Sequence, residues 1–171
     1  ILPGYSLSKN SSVSVLYELF AFPGSYDWDI LMNILMSPHL HSIDLRESEK
    51  FSESSRNNLA RTGFLKDNFL SAKGKNFSIV KSVLKKIWSR PRSLRLWVRD
   101  VEAFIEKLGW QPGVPDVKVC FEKVMHEMSK ESVFFTAEEF VNIMNKTLEL
   151  VEVDKGKGAG VKVSGVQESV G

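Results

Sequence analysis

Apolar residues recur at helical spacing through the second half of the chain. Val80, Val83, Leu84, Ile87 and Trp88 form one stripe, ended by Arg90-Pro91. Leu94, Trp97, Val98, Val101, Phe104, Ile105 and Leu108 form a longer one, with Gly109 placed as its C-terminal cap. Pro115 stands at a first helical position, and Val117, Cys120, Phe121, Val124 and Met128 follow on one face. Thr136-Ala137-Glu138-Glu139 reads as a capping box. Thr136 bonds the amide of Glu139, Glu139 reaches back, and Phe135 is positioned to staple onto Phe140. Phe140, Val141, Met144, Leu148 and Val151 carry that helix to about Glu152.

The first half is more diluted. A helix is expected from Ser12, as N-cap, to about Phe22, where Pro23-Gly24 stops it. A second spans Asp27 to Met36, with its aspartates in the first turn and Ser37-Pro38 closing it. Serines, asparagines and Gly63 weaken the pattern between Leu40 and Ser71, where one helix is expected around 53–71. Residues 1–11 have no period. Beyond Glu152 the chain turns to Gly, Lys, Ser and Val, with Val161 to Val166 the one stretch suited to an edge strand. No repeat or heptad run occurs. The expected fold is all-α, an orthogonal bundle of six to seven helices. A single helical domain over 12–152 would follow an irregular lead-in (1–11) and precede a flexible C-terminal tail (153–171).

With 171 residues, 43% of them hydrophobic and 26% charged, the chain is long and apolar enough for its own core. One cysteine excludes an intramolecular disulfide and a cysteine-cage zinc site, and it fits a reducing, intracellular compartment. No apolar run reaches the ~20 residues that span a bilayer, so no integral membrane association is expected. The most apolar stretch, Val13 to Leu40, is broken by Pro23-Gly24 and carries Asp27 and Asp29, as two buried helices would. The opening Ile1-Leu2-Pro3, without methionine, reads as a processed or truncated start that leaves any targeting peptide out of view.

Charge changes the picture through its distribution, since the net charge is only +2. No acid lies between Asp67 and Asp100, where Lys73, Lys75, Lys81, Lys85, Lys86, Arg90, Arg92, Arg95 and Arg99 all fall. Lys81 and Lys85 point away from one apolar stripe, and Arg92, Arg95 and Arg99 away from the next. If the turn at Ser89-Arg90-Pro91 keeps the two helices adjacent, these faces merge into a patch. Such a patch is a solvated flank balanced by Asp44, Glu47, Glu49 and Glu53, a dock for an acidic protein, or a nucleic-acid surface, with membrane-surface binding a further reading. No RNP, KH, zinc-finger or helix-turn-helix signature supports nucleic acid. The expectation is therefore a non-enzymatic interaction domain. It would bind an acidic protein through Lys81, Lys85, Lys86, Arg90, Arg92, Arg95 and Arg99, with RNA or DNA as the alternative partner. Phe77 to Arg92 also resembles a groove-binding basic helix, but core packing fits it better unless Trp88 is exposed.

Candidate chemistry is thin. His39 and His41, with Asp44 nearby, make at most half a metal site, so no metal or cofactor is expected. His126, one turn after Glu122, reads as an exposed partner for it. Cys120 lies in an apolar stripe and reads as a packed thiol. No serine sits in a G-x-S-x-G elbow. The run from Asp154 to Gly160 lacks the Lys-Ser/Thr of a phosphate loop and the repeated oxygen ligands of a calcium loop. An enzyme would need a closed pocket joining His39, His41 or His126 to a carboxylate. Trp110, after Gly109, is expected to fold back onto its helix end rather than to stand out as an interface anchor.

Overall fold

A computed structural model describes residues 5–62, 65–87 and 90–153, without the side chains of 56–62, 65, 86 and 87. The chain is an all-α bundle. Among the described residues it has eight helices: α1 (Ser11–Ser25), α2 (Trp28–Leu35), α3 (Leu45–Thr62), α4 (Leu65–Ser71), α5 (Lys75–Ile87), α6 (Leu94–Leu108), α7 (Pro115–Met128) and α8 (Ala137–Glu149). Two antiparallel strand pairs accompany them. β1 (Tyr5–Ser6) joins β4 (Glu152–Val153), and β2 (Arg92–Ser93) joins β3 (Phe134–Phe135).

The later helices start where their signals stand, and α6 stops at Gly109, but α8 ends at Glu149 rather than about Glu152, because Glu152 pairs in β4. Ser93 accepts a hydrogen bond from the Leu96 amide at the start of α6. Gly109 ends that helix in the left-handed region at φ 62, and a side chain there would also meet Ser42 Oγ at 2.7 Å. Pro115 opens α7, and both bonds of the Thr136–Glu139 box are made, at 3.2 and 3.1 Å. Trp110 is buried, and its indole N–H donates to the Ser12 carbonyl at 2.6 Å. Its ring packs on Phe121 at 5.0 Å. Trp110 is thus buried rather than an exposed anchor, with its indole meeting α1 and α7.

The first half departs from the expected boundaries. Asn10, not Ser12, caps α1, its side-chain oxygen accepting from the Ser12 amide at 3.0 Å. α1 also runs through Pro23 and Gly24 to Ser25. A proline in a last turn removes one amide bond only, and the Tyr26 amide closes the helix on the Phe22 carbonyl at 2.8 Å. Tyr26 takes the left-handed cap at φ 51, a geometry costing a non-glycine residue about 1–2 kcal/mol. Its ring packs edge-on against Phe22 at 5.1 Å, which offsets that cost.

Both expected irregular ends contribute to the folded unit. Leu7 is buried, and its amide bonds the Val151 carbonyl at 2.7 Å. Tyr5 pairs with Val153 and Ser6 with Glu152, so residue 153 belongs to the sheet and not to a tail. Residues 154–171, and with them the edge strand expected at 161–166, lie outside the described residues, as does Trp88.

One helix expected near 53–71 is two, and the first begins at Leu45. A buried asparagine from a later element holds the residue before it. Asn76, 0% exposed, accepts from the Asp44 amide at 2.8 Å and donates to the Asp44 carbonyl at 2.7 Å and to Ser48 Oγ at 2.9 Å. Its own amide donates to Glu47 Oε1 at 3.1 Å. These bonds hold Asp44, the residue before α3, satisfy the Asn76 amide at the start of α5, and fix the two helix starts together. Gly74 sits beside them at φ 134, where a side chain would collide with the Glu47 carboxylate. An aromatic series then runs through the core. Phe22 packs on Phe69 at 5.1 Å, Phe69 on Phe77 at 5.9 Å, Phe77 on Phe51 at 4.7 Å and Phe51 on Trp28 at 5.7 Å. These rings belong to α1, α4, α5, α3 and α2. Among the described residues no helix is long and apolar enough to cross a membrane.

Replacing Asn76 with alanine strands buried polar groups and should cost about 2–3 kcal/mol in urea unfolding, with the m-value unchanged. A loss under half a kcal/mol would show that the network is not a stabilising tie. A second outcome concerns pH. Burial pushes the Glu18 carboxyl above its ordinary value of 4.5, partly countered by a hydrogen bond from Asn33. A raised folded pKa means that the group favours the fold most below the unfolded value and loses that contribution as pH rises through the folded one. Glu18→Gln should therefore gain stability over the native chain between pH 4 and 7, read by thermal melts at each pH.

Candidate functional site

The basic segment does not form one uniform face. α5 packs beside α6, but the cations on them divide by direction. Lys81 turns inward, its ammonium donating to the carbonyls of Leu70 and Ala72 at 2.8 and 2.6 Å, 5.8 Å from the Phe69 ring centre. Arg92 also turns inward. It pairs with Asp100, and its guanidinium lies 4.0 Å from the centre of the Trp97 ring. That ring is stacked on Phe140 at 5.3 Å and 10°. Arg92 is thus part of the scaffold between α6 and α8 as much as a surface charge.

Lys85, Arg90, Arg95 and Arg99 are exposed, and none is paired with a carboxylate among the described residues. Arg95 makes one bond, from Nε to the Ser129 carbonyl at 3.2 Å. The side chain of Lys86 lies outside the description. Two acids named as balancing charges have other tasks: Asp44 accepts from the Arg46 amide at 2.9 Å, and Glu47 from Asn76.

Exposed apolar side chains adjoin the arginines, a feature the charge pattern alone did not reveal. Leu96, 42% exposed, lies between Arg95 and Arg99 on α6. Val133 and Phe134 are 56% and 68% exposed. They are held near the start of α6 by pairing of Ser93 with Phe134 and by the Leu94 amide on the Val133 carbonyl at 3.0 Å. The Arg95 amide bonds the Glu131 carbonyl at 3.2 Å in the same junction.

Two of the clefts among the described residues adjoin α5 and α6. One, of about 470 Å³, lies between the end of α1, α4 and α5. Pro23, Tyr26, Phe69, Leu70 and Leu84 supply its apolar wall. Lys66, Lys81 and Lys85 supply its charge. Only the last two lysines stood out in the sequence. Lys66 and Leu70 are one turn apart on α4, a spacing that puts them on one side of the helix expected there, but nothing in the sequence brought that side to α1 and α5. The second cleft, of about 370 Å³, lies between α6 and α7 with Ile105, Phe121 and Met125 as its floor. Glu102, Glu122 and His126 stand at its edge, and His126 does not pair with Glu122 as expected.

The remaining candidate chemistry stays isolated. His39 Nε2 lies 3.0 Å from Ser11 Oγ, but no carboxylate holds the imidazole. His41 is exposed, and no cluster of three metal-ligating side chains occurs among the described residues. Cys120 is fully buried, and its thiol is pushed up by desolvation and then by the Asp116 charge, as for a packed thiol. The chain matches no protein-family model, no curated protein and no solved structure.

The division of the arginines can be measured. Arg92→Ala should cost about 2 kcal/mol, since it leaves Asp100 unpaired and uncovers Trp97, whereas Arg99→Ala should stay within about 0.5 kcal/mol of the native chain. Equal losses in chemical unfolding would contradict this arrangement.

Proposed function

We propose that the chain is a non-enzymatic interaction domain that binds an acidic protein partner through the arginine-bearing start of α6 and the adjoining end of α5. One observation carries the choice of a protein over a nucleic acid. Arg95 and Arg99, neither paired with a carboxylate among the described residues, flank exposed Leu96, and Arg95 adjoins the segment that carries exposed Val133 and Phe134. Phosphate backbones reward cations alone, whereas protein interfaces combine arginine with aromatic and aliphatic anchors. Arg90 and Lys85 extend the same cationic surface, with Lys86 next in the chain. Lys81 and Arg92 act behind it, holding α5 against α4 and α6 against α8.

The test is a pull-down with the chain as bait, before and after nuclease treatment. A protein partner is retained after nuclease, and the combined variant Arg95→Glu, Arg99→Glu reduces the retained amount at least tenfold. Leu96→Asp, which leaves all cations in place, weakens retention as well. Retention that vanishes with nuclease, or that survives charge reversal, contradicts the reading. In the first case the surface is a nucleic-acid site, with affinity falling steeply in salt.

A further inference from the structure

We propose that the cleft between α1, α4 and α5 is a binding site for a single-chain amphiphilic anion, a medium- or long-chain carboxylate. The site lies to one side of the arginines of α6 and shares only Lys85 with the surface proposed for the protein partner; its occupancy does not depend on a protein bound there.

Three observations converge on this ligand class. The first is shape. A volume of about 470 Å³ walled by three helices falls within the 300–1,000 Å³ range typical of small-molecule sites. The second is the apolar wall. Leu70 is 53% exposed, although it adjoins Phe69 of the core, and Tyr26 is held toward the cleft by its left-handed cap on α1. An alkyl chain laid along Tyr26, Leu70 and Leu84 would remove this surface from water.

The third observation is charge. Three ammonium groups border the cleft and no carboxylate is among its described lining residues; Asp67, the neighbour of Lys66 on α4, does not line it. Lys81 is fixed by two carbonyls, which occupies two of its three N–H donors and leaves one for a ligand. Lys66 lies 5.7 Å from the Tyr26 ring centre, and Lys85 is exposed. A cation already held in place loses little freedom on binding an anionic head, so the arrangement is preorganised for one. A cationic amphiphile of the same length would meet like charges, and a short anion would leave the wall uncovered.

The experiment titrates the full chain with octanoate, decanoate and dodecanoate, and with dodecyltrimethylammonium as the oppositely charged match. Binding is followed by calorimetry, and retention of the fold by circular dichroism. Dodecanoate should bind one-to-one, tighter than about 0.1 mM. Each added pair of methylenes should tighten binding by several-fold, up to about tenfold. Lys66→Glu and Leu70→Asp, both at exposed positions, should each weaken dodecanoate at least tenfold, while Arg99→Glu leaves it unchanged. Equal affinity for dodecyltrimethylammonium would overturn the proposal, as would no gain with chain length or indifference to both cleft variants. Failure of dodecanoate to saturate, even where an acidic amphipathic peptide does so, would likewise overturn it.

Discussion

The position of α5 rests on a single buried amide side chain. Asn76 meets the backbone of Asp44 with both its oxygen and its nitrogen, reaches Ser48, and receives Glu47 on its own amide. An unpaired amide buried at that depth would oppose folding, so the geometry in which all these partners are present is favoured over its neighbours. That geometry sets the start of α3 and the entry of α5 together. What α5 then offers to solvent, and what it presses against α4 and α6, follows from this fixed origin.

From there the cations acquire distinct tasks through their neighbours. Lysine is a flexible point charge, and Lys81 bends to satisfy carbonyls at the end of α4. Arginine is planar, and Arg92 sits over the Trp97 ring while reaching Asp100. Arg95 and Arg99 occupy the outer side of the same helix, and no carboxylate among the described residues pairs with them. A segment that is uniform in charge along the sequence is therefore structural on one side and available on the other.

The helices that could be read from the sequence carry their own instructions. α6, α7 and α8 each combine an apolar stripe with a terminal signal: Gly109, Pro115, and Thr136 with Glu139. Local energetics and tertiary packing agree there. α3 was obscured because its serines and asparagines dilute the apolar stripe; Asp44 caps the Arg46 amide locally, but the hold on Asp44 itself comes from Asn76, far along the chain. Pro23 misled for a different reason. Its local rule is sound, but a proline in the last turn costs one bond that the Tyr26 cap compensates by packing. The cleft was invisible as a unit because its wall comes from α1, α4 and α5. The direction of each cation was equally hidden, since helical spacing separates inner from outer faces but does not foretell a carbonyl or an indole within reach.

The pairing of β1 with β4 has a consequence for how the bundle comes into being. Ser6 waits for Glu152, and the Leu7 amide for the Val151 carbonyl, so the earliest elements lack their partners until almost the whole domain has been made. At ribosomal rates of ~5–20 residues per second, that interval is roughly 7–30 s. Through it Leu7 and the apolar side of α1 have no α8 to cover them. The β1–β4 pairing thus forms only after α8 has been made, and the apolar side of α1 stays without that cover while the helices between are synthesised.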